Sequence, residues 1–303
     1  MSKRVDWEQI RLYVITAQDA HPGKSVIDVM EQTLIGGAGM LQLRNKTGSR
    51  SEVLEQAWAL RALTRRYGVP FIVNDYPDIA LEVDADGVHL GQDDMSIKEA
   101  RALLGDDKMI GISTHCAEHA IEAEREGADY IGVGPVFPTN TKPGKAAVTT
   151  AYVAEAASLV SIPFVAIGGI TTDNADAVIS AGAKRLCAVS AIVGSEDPAA
   201  VCRELLHKLA AADRAEESSN ANAIANERET SGHKAEENVT LSLNGSSYQT
   251  RSATLDCLLA ELGQRDKRLV AEVDGEIVPR SRWQETTLAD GLRIELIQFV
   301  GGG

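Results

Sequence analysis

Gln42, Arg44 and Lys46 stand at alternate positions around the end of the apolar run Met40–Arg44. Residues two apart in a strand share a face, so an amide, a guanidinium fork and an ammonium would point the same way. That trio has the chemistry of an anion clamp. Asn74-Asp75 close a second run, Phe71–Asn74, and Gln92-Asp93-Asp94 follow a third, Gly87–Leu90. Carboxylates on neighbouring strand ends, with no His or Cys beside them, suit an oxygen-preferring cation such as Mg2+. Ser113 ends the run Met109–Ser113 with a hydroxyl. The segment Gly134-Pro135-Val136-Phe137-Pro138-Thr139-Asn140-Thr141-Lys142 offers two more hydroxyls and an ammonium. Gly168-Gly169-Ile170 and Val189-Ser190-Ala191 follow the last two runs, where many barrels hold a phosphate on backbone N–H groups.

Each piece has an ordinary alternative. A basic pair at a strand end is commonly a surface ion pair, and two adjacent glycines are commonly a tight turn. Asp93 and Asp94 could cap a helix starting near Ile97. His115 and His119, four apart, read as an ordinary polar helix face. The functional reading gains weight because all the pieces fall at strand C-termini, where one architecture would gather them.

The elements that must position them are eight short apolar runs: Leu12–Ile15, Met40–Arg44, Phe71–Asn74, Gly87–Leu90, Met109–Ser113, Tyr130–Val133, Phe164–Ile167 and Arg185–Val189. Helical patterns separate them, among them Ser51–Tyr67, Ala117–Glu126, Asp173–Ala181 and Pro198–Leu209. Ser51 and Asp173 are expected N-caps, and Gly68 and Gly182 expected stops. Apolar strands alternating with helices imply a parallel sheet covered on its outside. Eight such units predict an α/β chain with a (β/α)8 TIM barrel over residues 1–212, with a doubly wound open sheet as the competing topology.

Composition changes at residues 213–238, where Ala, Ser, Asn and Glu dominate and Ile224 is the one aliphatic outside alanine. Too little apolar surface is available there to offset ordering entropy, so a flexible linker with some helical content is expected. Residues 239–303 follow a different pattern. Val239–Leu243 alternates, Asn244-Gly245 is a hairpin turn, and Ser247–Thr250 returns. Thr254–Leu262 carries a leucine face closed by Gly263. Leu269–Val273, Ile277-Val278 and Arg293–Val300 are further strands. This order predicts a small α+β β-grasp (ubiquitin-like) domain, and the chain stops at Gly301-Gly302-Gly303, a tail without Cβ atoms that could thread a narrow slot.

The formal net charge of −14 argues against non-specific binding of nucleic acid or an anionic membrane. Cys116, Cys187, Cys202 and Cys257 are scattered without a CxxC pair, which fits a reducing, cytoplasmic setting without a disulfide or zinc framework. No secretory signal or bilayer-spanning run is expected.

In order, Gln42-Leu43-Arg44-Asn45-Lys46, Val73-Asn74-Asp75, His89-Leu90-Gly91-Gln92-Asp93-Asp94, Gly111-Ile112-Ser113, the segment from Gly134 to Lys142, and Ile167-Gly168-Gly169-Ile170 resemble the thiamine-phosphate synthase family over residues 10–210. The resemblance implies a (β/α)8 barrel joining hydroxymethylpyrimidine diphosphate to a thiazole phosphate, with release of pyrophosphate. It implies that Gln42, Arg44, Lys46 and Asn74 hold the pyrimidine diphosphate. Asp75 and Asp94 would ligate Mg2+, and Ser113 and Lys142 would contact the pyrimidine and its leaving group. Thr139, Asn140, Thr141, Gly169, Val189 and Ser190 would bind the thiazole phosphate. Arg44, Lys46, Ser113 and Lys142 are thus the implied catalytic set. The stretch Pro143–Thr150 departs from the family pattern in lacking a Gly-Leu before the next helix. Barrels of this kind often self-associate, which leaves a homo-oligomer open.

Leu243-Asn244-Gly245, Asp274-Gly275-Glu276-Ile277-Val278-Pro279-Arg280, Trp283, Asp290-Gly291 and the glycine tail resemble the thiamine sulfur-carrier family over residues 239–303. This implies that Gly303 is activated by an adenylating enzyme, becomes a thiocarboxylate, and donates sulfur to thiazole synthase. The third glycine departs from the usual pair. The expected function is a bifunctional thiamine-biosynthesis protein. The alternative is a catalytically idle barrel that serves as scaffold for a sulfur-carrier or docking domain.

Overall fold

A computed structural model describes residues 5–17, 23–139, 147–231, 239–265 and 269–298. They form two compact units, 1–218 and 219–303. In the first unit the strands are β1 (Leu12–Ile15), β2 (Met40–Leu43), β3 (Phe71–Asn74), β4 (Gly87–Leu90), β5 (Met109–Thr114), β6 (Tyr130–Val133), β7 (Phe164–Ile167) and β8 (Leu186–Cys187). All are parallel, and β8 pairs back onto β1 through Leu12↔Leu186 and Tyr13↔Cys187. The sheet is therefore a closed barrel, not an open doubly wound sheet. Every residue of β1 to β6 is buried, as expected when helices cover one face and barrel side chains fill the other.

The helices are α1 (Val26–Ile35), α2 (Arg50–Tyr67), α3 (Pro77–Glu82), α4 (Ile97–Leu104), α5 (Ala117–Arg125), α6 (Thr149–Leu159), α7 (Ala175–Ser180), α8 (Ser190–Val193) and α9 (Pro198–Ser231). Three starts are fixed by serine caps. Ser25 accepts from the Asp28 amide, while Ser49 with Glu52 and Ser96 with Glu99 form reciprocal capping boxes. Ser49, not Ser51, caps α2, because only Ser49 has a glutamate three residues on. Ser96 caps α4, which removes the capping role considered for Asp93 and Asp94. Asp173 is not the cap of α7. That helix starts after Asn174, whose side chain instead accepts from the Thr171 amide and donates to the Gly169 carbonyl. Gly68 ends α2 in the left-handed conformation.

Two apolar layers result. One lies between barrel and helices. The other fills the barrel with Ile10, Tyr13, Ile15, Met40, Ile72, Met109, Tyr130, Val165 and Cys187. Trp7 seals the N-terminal end. Its ring lies 5.0 Å from that of Tyr130, and Arg185 both covers it and donates to its carbonyl. Helix α9 continues well past Leu209, so the stretch read as a linker is helical as far as Ser231. The alanines and glutamates that made it poor core material are good helix formers. Asp213 and Glu216 pair with Arg11 and Lys184 and tie this helix to the first unit. Among the described residues no helix is long and apolar enough to cross a membrane.

In the second unit β9 (Val239–Leu243), β10 (Ser246–Thr250), α10 (Leu255–Glu261), β11 (Leu269–Val273), β12 (Glu276–Val278) and β13 (Arg293–Gln298) form a β-grasp fold. The sheet order is β10-β9-β13-β11-β12, with β13 parallel to β9 and the other pairings antiparallel. Asn244 and Gly245, both at positive φ, make the expected hairpin turn, as do Asp274 and Gly275. Thr254 caps α10, whose Leu255, Leu258 and Leu259 are fully buried against Leu241, Ala271, Trp283 and Ile294. The glycine tail, including Gly303, lies outside the described residues.

Candidate active site at the barrel mouth

The C-terminal ends of the barrel strands surround a pocket of roughly 870 Å3, its open mouth included. Eight of the residues expected to bind substrate line it: Gln42, Arg44, Asn74, Ser113, Thr139, Gly169, Val189 and Ser190. They come from β2 and the loop after it, from β3 and β5, from the loops after β6, β7 and β8 and from the start of α8, so only closure of the barrel brings them together. Asn140, Thr141 and Lys142 lie outside the described residues.

The loop carrying Arg44 and Lys46 is held at both ends. Thr16 Oγ1 accepts from the Arg44 amide at 2.9 Å and donates to the Arg44 carbonyl at 3.2 Å. Asn45 accepts from the Thr47 and Gly48 amides and donates to Gln56. Arg44 is thereby held over the pocket, with a buried Nε that has no partner among the described residues. Burial lowers the affinity of its guanidinium for the proton, and Asp75 opposes that effect. A half-buried guanidinium beside a pocket, with an unpaired Nε, suits an anion.

Lys46, Asp75 and Asp94 form a charged group beside the pocket rather than part of its lining. Lys46 Nζ lies 2.8 Å from Asp75 Oδ2. Asp75 has φ +64 and donates its amide to the His89 carbonyl, a left-handed turn that aspartate tolerates. Burial raises its carboxyl above the ordinary range. The hydrogen bond from Lys46 pulls it back, and the charge of Asp94 raises it further. Asp94 Oδ2 accepts from the Gly91 amide at 2.7 Å. Two hard oxygen donors, close enough that the charge of Asp94 raises the Asp75 carboxyl, fit a divalent cation such as Mg2+, which takes one or two protein carboxylates and completes its shell with water or phosphate oxygens. No group of three or more His, Cys, Asp or Glu side chains placed to hold a metal ion occurs among the described residues.

Gly168 and Gly169 sit at φ +99 and +66 against the loop after β6. A Cβ on Gly168 would lie 2.4 Å from Pro135, and one on Gly169 would lie 2.7 Å from the Pro138 carbonyl oxygen. The glycines thus serve close approach of two loops as well as a turn.

Several pocket residues were given no role in the sequence. Tyr13, His89 and Tyr130 line its floor, and His115, read as part of a helix face, lines its wall, with Nδ1 against the Gly134 carbonyl. The reading of His115 as an ordinary polar helix residue is therefore corrected. It precedes α5 and extends the β5 alternation from Ser113. The interior histidine and tyrosines had a weaker signal: a histidine within the buried run Gly87–Leu90, and glycines on the next two strands, β5 and β6.

Residues 12–192 match the family model described as thiamine monophosphate synthase, and residues 241–303 match that of the ThiS family. The chain is 54% identical over 197 residues to a thiamine-phosphate synthase of Shouchella clausii, covering 65% of this chain and 94% of that protein. It is 53% identical over 193 residues to a thiamine-phosphate synthase of Halalkalibacterium halodurans, covering 63% and 92%. Among solved structures, thiamine phosphate pyrophosphorylase from Pyrococcus furiosus superposes with a TM-score of 0.62 at 38% identity, covering 68% of this chain and 98% of that one. A 3-hexulose-6-phosphate synthase from Salmonella typhimurium, at 14% identity and TM-score 0.52, shares the fold alone.

Proposed function

The chain belongs to the thiamine monophosphate synthase family, and from that premise we propose that its barrel condenses hydroxymethylpyrimidine diphosphate with a thiazole phosphate to give thiamine phosphate and pyrophosphate. The observation that carries the reading is the pocket itself, where Gln42, Arg44, Asn74, Ser113, Thr139, Gly169, Val189 and Ser190 converge on one space beside Lys46, Asp75 and Asp94.

In this reading the pyrimidine methylene–oxygen bond breaks and its electron pair leaves on the diphosphate. The thiazole nitrogen lone pair then forms the new carbon–nitrogen bond. No nucleophilic side chain is required. Arg44 and Lys46, with Lys142, neutralise the departing charge, and the partnerless Arg44 Nε supplies a donor for it. Asn74 and Gln42 orient the pyrimidine diphosphate, and Ser113 contacts the ring. Thr139, Asn140, Thr141, Gly169, Val189 and Ser190 hold the thiazole phosphate so that its nitrogen faces the reacting carbon. Asp75 and Asp94 would hold Mg2+, which when bound adds positive charge at the leaving diphosphate.

We infer further that residues 239–303 act as a sulfur carrier, with Gly303 as the acyl terminus that an adenylating enzyme converts to a thiocarboxylate for thiazole synthase. The division into a synthase over 1–212, a connecting segment over 213–238 and a carrier over 239–303 goes with this reading, as does a cytoplasmic setting. The match of 241–303 to the ThiS family supports it. Two measurements test the two halves. Purified chain should release pyrophosphate only when both substrates are present. After incubation with an activating enzyme, ATP and a sulfur donor, the intact mass should rise by the exchange of oxygen for sulfur at the terminal carboxylate. An unchanged mass removes the carrier assignment.

A further inference from the structure

Among the described residues, five other than glycine have positive φ. Four are Asp75, Asp84, Asn244 and Asp274, whose short polar side chains suit that region. The fifth is Thr149, at φ +65, where a β-branched residue is strained. It lies in the stretch Pro143–Thr150, which departs from the family pattern in lacking a Gly-Leu before the helix. Thr149 is exposed, so packing does not offset the strain.

A two-bond clip holds it in place. The Val148 amide donates to the Pro135 carbonyl at 2.8 Å, and the Thr149 amide donates to the Val136 carbonyl at 3.2 Å. Thr149 Oγ1 accepts from the Ala151 amide at 3.3 Å, a first-turn donor with no partner inside α6. Val148, at the N-cap, supplies no side-chain acceptor. On its other side the same segment donates, from the Val136 amide to the Ile167 carbonyl at 2.9 Å and from the Phe137 amide to the Gly168 carbonyl at 3.0 Å. Residues 135–137 are thus fastened to the end of β7 on one side and to the start of α6 on the other.

The fastened segment is a wall of the pocket, which Gly134, Pro135 and Thr139 line together with Gly168 and Gly169. Its two fastenings differ in strength. Toward β7 the backbones are in close contact, since a Cβ on Gly134 would lie 2.0 Å from the Ile167 carbonyl oxygen. Toward α6 the clip works against Thr149. The helix itself is anchored by Tyr152, whose buried Oη donates to Thr114 Oγ1 at 2.8 Å. With α6 held, relaxation of Thr149 to negative φ swings the preceding peptide and breaks both clip bonds. The clip therefore opens more readily than it would with a residue suited to positive φ.

We propose that Thr149 is a positioning residue for the thiazole phosphate: its strain weakens the clip, and the clip sets how firmly the wall carrying Thr139 is held beside Gly169. The proposal rests on the reading of Thr139 and Gly169 as contacts of that substrate. The clip is open for a sizeable share of the time in the free chain, and the apparent affinity is lowered by that share. A side chain that suits positive φ closes the clip and tightens binding. A β-branched one without the hydroxyl keeps the strain, loses the bond to Ala151 and loosens binding. Gln42, Arg44 and Asn74 belong to β2, its loop and β3, away from the clip, so the pyrimidine diphosphate is affected less.

The test compares the full wild-type chain with Thr149→Asn and Thr149→Val. Asparagine tolerates positive φ and keeps an acceptor for the Ala151 amide, whereas valine keeps the branch and loses the acceptor. Hydrogen exchange is read at the Val148 amide, whose own side chain is the same in all three. It should be slowest with asparagine and fastest with valine, over a span of about fivefold. The KM for the thiazole phosphate should rise about threefold in Thr149→Val and fall by a smaller factor in Thr149→Asn. The KM for the pyrimidine diphosphate should move less than about 1.5-fold. Equal exchange in the three chains overturns the strained clip. Ordered exchange with an unmoved thiazole phosphate KM makes Thr149 merely structural, which overturns the proposal and leaves the reading of the site intact. A folded wild type that never saturates with thiazole phosphate removes the reading of the site, and the proposal falls with it. Should Thr149→Val fail to fold, the asparagine variant still decides through its slower exchange and lower KM.

Discussion

Lys46 Nζ contacts Asp75 Oδ2 at 2.8 Å, so the ammonium of the anion clamp already faces one of the two carboxylates suited to a cation. The contact links the two charged halves of the site, and in the proposed reading Lys46 would exchange this carboxylate for the substrate diphosphate. Its side chain is 48% exposed, and ion pairs that open to water are worth only about 0–1 kcal/mol. Lys46→Ala should therefore leave the thermal midpoint almost unchanged, while kcat falls on the order of 100-fold through loss of charge at the leaving group. Parallel melting curves and steady-state rates check both halves.

Asp75 gives a pH signature. Its carboxyl is raised in the folded state, so ionising it penalises the fold once the pH exceeds that raised value. Below the unfolded value, about 4, both states hold the proton and the penalty vanishes. Asp75→Asn should thus stabilise the metal-free protein at neutral pH. The gain should shrink to nothing as the pH falls from the raised folded value to about 4. Asparagine also suits φ +64, which alanine does not. Melting temperatures across the pH range check this, and a pH-independent difference contradicts it.

Gly168 should tolerate no side chain. Gly168→Ala combines a positive φ with a Cβ 2.4 Å from Pro135, and the two together should destabilise the barrel by about 3 kcal/mol. Denaturant midpoints measure the loss. The KM for the thiazole phosphate should rise alongside, because the displaced loop lines the pocket.

Leu258 is fully buried in the core of the second unit. Leu258→Ala should destabilise that unit by about 2–5 kcal/mol, read as faster amide exchange in residues 239–298. The rate of the barrel reaction should stay at its wild-type value. A matching fall in barrel activity contradicts the assignment of the two units to separate tasks.

The barrel was legible because its strands are short, mostly apolar and regularly spaced, and β1, β3, β4, β6 and β7 occur with the expected limits. The ends of β2, β5 and β8 shift by one to two residues, where backbone pairing rather than side-chain type decides. Helix starts were read less well. A serine is a cap only if its neighbours cooperate, and Ser49 has Glu52 where Ser51 has no partner. Polar residues at strand ends were visible because they interrupt apolar runs. Tyr13, His89 and Tyr130 were not, because a tyrosine or histidine inside a buried run looks like core until the barrel closes and places the three in one row.

The central claim is that one barrel performs the condensation. The most direct measurement incubates the purified full chain with hydroxymethylpyrimidine diphosphate, the thiazole phosphate and Mg2+, and quantifies thiamine phosphate and pyrophosphate together. The account predicts equimolar formation of both, dependent on each substrate and nearly abolished by Arg44→Ala. A folded wild-type chain that forms neither product, or an Arg44→Ala variant that forms both at the wild-type rate, would contradict it.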